Sequence, residues 1–244
     1  MSAVEFPGHV ADLCEETILL NSMFSTVNVI HKAVKNVTQS EEEGSDMQSK
    51  ADILAIEVFD CGLIGEGALD IIQHARQHLL QKDAICIPCG ASVFVQPVQM
   101  DRIGELHGFD FQSVNADRWR PEYESIEMRE QSERCLIELS EPAMAFSFDF
   151  YDIQTCMDNN SSQLHFHAKQ EGIMNAILFW FALYLDEEQR LTSNPNETEN
   201  GSTWTPAVQW VKERKISKGE EIHLRATHDT YGFVFEVCQA HLSG

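Results

Sequence analysis

The stretch from residue 52 to residue 78 constrains the fold of this chain more than any other part of it. It starts with a short apolar run, Ile53 to Ile56, which is typical of a strand buried on both faces. Glu57 follows at the carboxyl end of this strand, where open α/β sheets bind their ligands, and Glu66 comes nine residues later. Apolar side chains then recur at helical spacing over residues 68–80, which predicts a helix.

The two glutamates can share one site only if the chain between them folds back. Nine extended residues would separate them by roughly 30 Å, and Gly62, Gly65 and Gly67 supply the backbone freedom that a fold-back needs. Paired carboxylates suit a guanidinium, because its N–H donors match them bidentately and it stays charged. The sequence therefore predicts an arginine-binding pair, and an acidic surface loop is the alternative.

Composition narrows the function classes. The 244 residues give room for one large domain or two modest ones. The formal net charge of −22 opposes direct binding to nucleic acid and favours basic partners, although the same charge also keeps a protein soluble. The seven cysteines are scattered, as is typical of reduced thiols, and the first residues resemble no signal segment. We expect a cytoplasmic or nuclear protein that is not embedded in a membrane.

Two kinds of pattern follow each other along the chain. The first part alternates strands and helices, as is typical of a parallel sheet, with predicted strands at 2–5, 27–31 and 53–56, a helix at 7–20 and a polar loop at 38–50. The second part has short alternating stretches that predict an antiparallel sandwich or barrel, at 91–96, 135–139, 146–150, 163–167, 177–185, 207–211, 222–226 and 232–237. Because the pattern changes from alternating strands and helices to short strands near Pro88, we predict two domains, 1–87 and 88–244.

Three further groups of side chains are candidates for chemistry. His165 and His167 face the same side of a predicted strand and could bind a metal, but no third ligand is evident. Cys86 and Cys89 form a single close pair, whereas a zinc site needs a second one. Cys61 lies between the glutamates, without a His or Lys placed by the sequence to activate its thiol. We therefore predict no metal site and no reactive cysteine.

The segment from Glu57 to Glu66 resembles the double-E loop of the protein arginine methyltransferases, at the spacing of that family. Residues 139–142, 148–150 and 179–186 are similar to stretches of the family's barrel. The resemblance extends over nearly the whole chain. It implies an α/β + β fold class: the C-terminal part of a Rossmann-like S-adenosylmethionine methyltransferase domain, followed by an antiparallel β-barrel domain.

The resemblance also implies roles for individual residues. Glu5 lies 16 residues before Asn21 and matches the family's acidic residue that binds the ribose of S-adenosylmethionine. By the same resemblance, Val34 and Lys35 occupy positions beside the adenine, Glu57 and Glu66 are the catalytic pair, and Trp204 lies at the substrate. Asp60, in the same loop as the glutamates, could also contact the substrate by narrowing the pocket. For Trp204 a place in the barrel core is the alternative, and for Asp60 the capping of a turn.

The sequence departs from the family at several points. The family's glycine-rich first strand and its N-terminal helices would precede residue 1, so an N-terminally truncated module is expected. Lys35 stands where many members have a glutamate near the adenine, and Ser202-Thr203-Trp204 replaces the family's Thr-His-Trp. Ala68 stands where members that make asymmetric dimethylarginine have methionine. The wording of the loop is closer to the subfamilies that carry two copies of the fold and make monomethyl or symmetric dimethyl products.

These matches predict the transfer of a methyl group from S-adenosylmethionine to a guanidino nitrogen of arginine in basic protein substrates. The family usually dimerises through an arm of the barrel, which residues 119–126 match in position. We therefore expect a homodimer, or pairing with a second methyltransferase module. The alternative is a catalytically inactive module that serves as an interaction or dimerisation partner.

Overall fold

The computed structural model describes residues 1–101, 104–106, 108–115, 121–126, 136–197 and 203–238. The chain forms two compact units, and each is described by itself. The first unit consists of Met1–Ile56 and Leu69–Ile87, and the second of Glu57–Ala68 and Pro88–Gly244. The loop that carries both glutamates thus belongs to the second unit, whereas the predicted division at residue 87 put it in the first.

The first unit alternates strands and helices, in agreement with the predicted pattern. The strand predicted to be buried on both faces is not, because Ile53 is 57% exposed. Its elements are β1 (Ser2–Glu5), α1 (Gly8–Leu20), β2 (Asn28–His31), β3 (Ala51–Ala55), α2 (Ala68–His74, of which Ala68 belongs to the second unit) and β4 (Leu80–Ile87). Strand β1 pairs with β2, and β3 pairs with β4, both in parallel. The predicted helix over 68–80 is α-helical only to His74 and continues as a π-helical segment, Ala75–Leu79. Strand β4 had no counterpart among the predicted elements.

The loop over residues 38–50 is less open than its polar sequence predicts. The Asp46 carboxylate accepts the backbone N–H and the hydroxyl of Thr38 at 2.8 and 2.9 Å, and it lies 2.7 Å from the Lys32 Nζ. The bond from Lys32 lowers the pKa of Asp46 to about 2. Because the folded pKa lies below the ordinary value, these bonds stabilise the loop at neutral pH and are lost as the pH falls towards 2.

The second unit is antiparallel, as predicted. Its strands are β5 (Gly90–Met100), β6 (Glu105–Leu106), β7 (Phe109–Asp110), β8 (Glu124–Ser125), β9 (Leu136–Glu138), β10 (Ala143–Asp149), β11 (Ser161–His167), β12 (Gly172–Tyr184), β13 (Arg190–Thr192), β14 (Ala207–Ile216), β15 (Glu221–His228) and β16 (Phe233–Val237). Two short helices accompany them, α3 (Gln112–Asn115) and α4 (Ile153–Asp158).

In the larger sheet of the second unit, the strand order is β10-β5-β12-β14-β8, with β9 on β5 and β13 on β12; a second sheet has the order β11-β15-β16. Strand β12 is almost entirely buried because β5 and β14 flank it. Asn175 interrupts its apolar run at a shift in the register between β12 and β14. Its side chain accepts the Met100 N–H at 2.9 Å and donates to the Met100 carbonyl at 2.8 Å, so a buried amide replaces strand pairing there.

A second buried amide joins the two sheets. The Gln209 side chain, on β14, donates to the Phe235 carbonyl at 2.7 Å and accepts the Phe235 N–H at 2.9 Å, on β16. Both backbone groups are satisfied by one side chain that is 4% exposed. Phe235 also contacts the rings of Phe179 and Phe233 inside the unit. No described helix is long and apolar enough to cross a membrane.

Replacing Gln209 with leucine tests this junction. The substitution leaves the buried N–H and C=O groups of Phe235 without partners, so we expect the free energy of unfolding to fall by about 2–4 kcal/mol. Urea denaturation followed by circular dichroism measures the change. Gln163→Leu, at an exposed position of β11, is the matched control. Equal stability of the two variants would contradict the structural role assigned to the amide.

Candidate functional site

The loop from Glu57 to Ala68 folds back on itself. One oxygen of the Asp60 carboxylate accepts the Gly65 N–H at 2.8 Å, and the Asp60 carbonyl accepts the Leu63 N–H at 3.0 Å. Asp60 is three residues after Glu57, a distance of at most about 11 Å along the chain. Glu66 directly follows Gly65. The loop is therefore folded back, rather than extended over the roughly 30 Å that nine residues could reach.

The three glycines of the loop have different physical roles. Gly67 has a φ of +83°, a conformation that residues with a side chain rarely adopt. Gly62 and Gly65 are instead required by close approach, because a Cβ atom at Gly62 would collide with the Tyr123 ring and one at Gly65 with the Asp60 carboxylate. The predicted fold-back is present, and two of its three glycines make room for neighbouring side chains.

The centre of the loop is anchored in the core. Leu63 and Ile64 are completely buried, at 0% exposure. Leu63 also has a φ of 78°, which is unfavourable for a residue with a branched side chain. Such a conformation persists where the surroundings fix it, and here the burial of two large side chains does so. The loop thus has a buried, fixed base between its two glutamates.

Tyr123 holds the loop from outside, and the sequence patterns did not single it out. Its hydroxyl donates to the second oxygen of Asp60 at 2.9 Å, and its ring packs edge-on against Phe179. Burial and the Asp60 charge raise the pKa of Tyr123 well above its ordinary value, so the hydroxyl remains a neutral donor. The only local signal was a tyrosine between Glu122 and Glu124, which fits a half-buried strand as well as a surface segment.

The segment around Tyr123 is also the one predicted as a dimerisation arm, at 119–126, and that role stays a prediction. Its described residues belong to the second unit itself: β8 (Glu124–Ser125) pairs with β14, and Ile126 is 5% exposed in the core. The Trp210 Nε1 donates to the Glu124 carboxylate at 2.7 Å. Residues 119 and 120 lie outside the described part of the chain.

Trp204 makes a second attachment to the loop. Its Nε1 donates to the Phe59 carbonyl at 2.9 Å, and its ring lies edge-on to Phe59 and Phe181. Trp204 is half-buried, so it contacts both the core and the loop that carries the glutamates. Its predicted contact with substrate stays a prediction. Asp60 caps the loop with both carboxylate oxygens, which is the alternative that the sequence left open for it.

Glu57 and Glu66 differ from Asp60 in their exposure and in their hydrogen bonding. Both are exposed, and within the described part of the chain no hydrogen bond or ion pair engages either carboxylate. Because the loop beneath them is fixed, it presents two carboxylates whose acceptor sites are open to an incoming donor. Their catalytic role stays a prediction, and their accessibility is compatible with it.

The three residues predicted to bind the cofactor lie in the first unit. Glu5 is half-buried at the carboxyl end of β1, in register with His31 on β2. Val34 and Lys35 begin a 3₁₀ turn (Val34–Asn36) shortly after β2; Val34 packs against a small core, and Lys35 is exposed. Since β1 and β2 are parallel, all three residues follow the carboxyl ends of neighbouring strands, where α/β sheets bind ligands.

The cysteine candidates of the sequence have structural explanations. Burial, and then the Asp60 charge, raise the pKa of the Cys61 thiol to about 11. Cys86 is buried in the core of the first unit. His165 contacts His223 on the neighbouring strand. Among the described residues, no group of three or more His, Cys, Asp or Glu side chains is placed to hold a metal ion.

Comparison with known proteins adds an independent observation. Protein arginine N-methyltransferase 7 of Anopheles gambiae is 27% identical, in a match that covers 93% of this chain and 39% of the relative. The Drosophila melanogaster protein of the same name is 23% identical, over 93% and 38% of the two chains. Protein arginine N-methyltransferase 1.6 of Arabidopsis thaliana is 28% identical, over 89% and 33%. No family model matches.

The resemblance to protein arginine methyltransferases is confirmed. Among solved structures, the Trypanosoma brucei PRMT1 enzyme-prozyme heterotetrameric complex with AdoHcy has a TM-score of 0.70 at 18% identity, covering 93% of this chain and 70% of that one. This likeness confirms the predicted fold class, a Rossmann-like part followed by an antiparallel β-barrel. The chain spans about two-fifths of the length of the curated relatives it matches.

Tyr123→Phe tests the attachment of the loop. The substitution removes a hydroxyl that donates to a carboxylate, so we expect the free energy of unfolding to fall by about 1–2 kcal/mol. We also expect faster hydrogen exchange at the Gly65 amide, measured by mass spectrometry. Ser161→Ala, which removes an exposed hydroxyl of the same unit, is the control and should change stability by less than about 0.5 kcal/mol. Unchanged exchange at Gly65 would argue against a bracing role.

The raised pKa of Cys61 makes its thiol unreactive. At pH 9 a free thiol is about half ionised, whereas a thiol with a pKa near 11 is about 1% thiolate, and the thiolate is the nucleophile. We therefore expect iodoacetamide to alkylate Cys61 about fiftyfold more slowly in the folded protein than in urea, as measured by peptide mass spectrometry. Equal rates in the two states would contradict the buried, neutral thiol.

Proposed function

We propose that this chain is part of an S-adenosylmethionine-dependent protein arginine N-methyltransferase, in which Glu57 and Glu66 bind the guanidinium of the substrate arginine. One observation carries the proposal: a loop fixed by Asp60 and Tyr123 presents two exposed carboxylates that no described side chain engages. A guanidinium offers the paired donors that two carboxylates accept. The names of the curated relatives support the same reaction class.

The carboxylates would act by position and charge. Glu57 and Glu66 would accept the guanidinium N–H bonds and draw its positive charge towards them, which leaves one terminal nitrogen richer in electrons. S-adenosylmethionine supplies an electrophilic methyl group on its sulfonium. With the cofactor bound, its methyl group would pass to that nitrogen, S-adenosylhomocysteine would leave, and the proton of the methylated nitrogen would go to solvent. Fixing the reactants is then the main contribution of the protein.

Residues of the first unit fit the adenosine part of the cofactor. The Glu5 carboxylate, at the carboxyl end of β1, is an acceptor suited to two ribose hydroxyls. Val34 offers an apolar side chain for one face of the adenine. Lys35 is exposed and carries donors only, so it cannot accept a hydrogen bond from the adenine amine.

The charge and the comparisons suggest the partners. A net charge of −22 favours basic protein substrates through long-range attraction. The similar Trypanosoma structure is a heterotetramer of an enzyme and a prozyme, and the chain spans 38% of its Drosophila relative. Both facts suggest a homodimer, or pairing with a second methyltransferase module. A monomethyl or symmetric dimethyl product and a cytoplasmic or nuclear location complete the proposal.

A second role is a non-catalytic partner of an active module. The observation that favours it is Lys35, which places a cation where the cofactor's adenine needs an acceptor. Such a chain would keep the fold and the acidic loop but would not bind the cofactor by itself. Cofactor binding therefore separates the two roles.

The first experiment is a calorimetric titration of the 244-residue chain with S-adenosylmethionine. Methyl transfer by this chain predicts micromolar binding that weakens in Glu5→Ala, because the ribose loses its acceptor. A folded chain that produces no heat of binding would rule out catalysis by the chain alone and would favour the partner role.

Given binding, Glu57→Gln and Glu66→Gln should each lower kcat/KM on an arginine-rich peptide. Each substitution removes a charge-assisted acceptor worth about 2–4 kcal/mol in the transition state, a loss of about 30- to 1,000-fold. Mass spectrometry of the methylated peptide gives the rates. Glu171→Gln, an exposed glutamate of the same unit, is the matched control. Equal activity of all three variants would refute the role of the glutamate pair.

A further inference from the structure

The smaller sheet of the second unit has one buried face and one polar face. Leu164 and Phe166 on β11, and Ile222 and Leu224 on β15, are at most 6% exposed. The residues that alternate with them point to the other face. His165 and His223 lie directly opposite each other there, in the register of the antiparallel pair. Neither histidine has a role in the proposed methyl transfer.

The two imidazoles meet through equivalent atoms. The His165 Nδ1 is 2.6 Å from the His223 Nδ1, and the ring planes are at 85° to each other. One Nδ1–H therefore donates to the other Nδ1, so the two nitrogens point towards each other across the gap between the rings. A metal ion about 2.0–2.1 Å from two imidazole nitrogens, at an angle of about 90–110°, needs an N–N distance of about 2.9–3.4 Å. Rotation about the side-chain bonds that opens the pair by about 0.3–0.8 Å and turns both nitrogens towards the ion would provide it.

A neighbouring carboxylate favours the required proton arrangement. Glu221, two residues before His223 on β15, has an oxygen 3.4 Å from the His223 Nε2. A carboxylate at the far ring nitrogen favours a proton on Nε2 and leaves the lone pair of Nδ1 for a metal, which is the usual surrounding of a metal-binding histidine. The negative charge of Glu221 also offsets part of the positive charge of an incoming cation.

We propose that His165 and His223 bind one divalent late transition-metal ion through their Nδ1 atoms. On binding, the proton between the rings moves through solvent to the Nε2 of the donating histidine, so both rings stay neutral. Because no third His, Cys, Asp or Glu converges among the described residues, water completes the coordination. Imidazole ligands favour Cu²⁺, Ni²⁺ and Zn²⁺ over Mg²⁺ and Ca²⁺, with Cu²⁺ bound most tightly.

The test is a titration of the 244-residue chain with Cu²⁺, followed by calorimetry and by the nitrogen hyperfine pattern in electron paramagnetic resonance. We expect an ion with two nitrogen ligands in the wild type. His165→Gln and His223→Gln should each abolish that two-nitrogen signal, and circular dichroism verifies that both variants fold. Mg²⁺ should produce no competing heat.

A second histidine pair supplies the matched control. His74 and His78 lie in the first unit with their ring centroids 4.8 Å apart, so among the described residues they are another place where two imidazoles could bind copper. His78→Gln should leave the two-nitrogen signal intact. Loss of the signal in His78→Gln but not in His165→Gln would overturn the proposal, as would wild-type binding in both His165→Gln and His223→Gln.

Glu221, whose carboxylate lies near the far nitrogen of His223, allows a test with an intermediate effect. Glu221→Gln keeps both ligands but weakens the preference for a proton on the His223 Nε2, so we expect about tenfold weaker Cu²⁺ binding, at the lower end of the effect of outer-shell changes. Glu236→Gln, an exposed glutamate on β16, should leave the affinity unchanged. Equal affinities of the two variants would remove Glu221 from the site.

Discussion

The Asp60 carboxylate is the interaction on which the candidate site depends. One oxygen closes the loop by accepting the Gly65 N–H, and the other attaches the loop to the unit by accepting the Tyr123 hydroxyl. The buried Leu63, with its unfavourable positive φ, lies inside the turn that the Gly65 bond closes. The Asp60 side chain thus contributes to both the shape of the loop and its position, together with the Trp204 bond and the buried Leu63 and Ile64.

Sequence reasoning predicted the local part of this arrangement. The glutamate spacing and the three glycines lie within a few residues of one another, so a fold-back could be argued from chain length and backbone freedom alone. Tyr123 lies 63 residues from Asp60, and Trp204 lies 145 residues from Phe59. No periodicity or motif links positions so far apart, which is why the sequence did not connect Tyr123 with the loop.

The same limit, that sequence patterns are local, explains why some secondary-structure elements were predicted wrongly. Leu79 and Leu80 continue the apolar spacing of the preceding helix, so the sequence extended that helix into the start of β4, and Lys82 and Asp83 then hid the alternation of the strand. The buried amides of Asn175 and Gln209 are interruptions of apolar patterns when the sequence is read locally. They become necessary once it is known which backbone groups would otherwise lack partners: Met100 in one case and Phe235 in the other.

The loop carries three carboxylates, and their different surroundings follow from one physical requirement. Exposed like charges on one short loop repel each other weakly in water, and they repel more strongly when a bound substrate excludes solvent. A guanidinium relieves that repulsion only if the carboxylates stay where its N–H bonds can reach them. The third carboxylate, Asp60, instead stabilises the loop, because both of its oxygens accept hydrogen bonds from internal donors. Without those donors, the loop would lose the bonds that hold Glu57 and Glu66 in place.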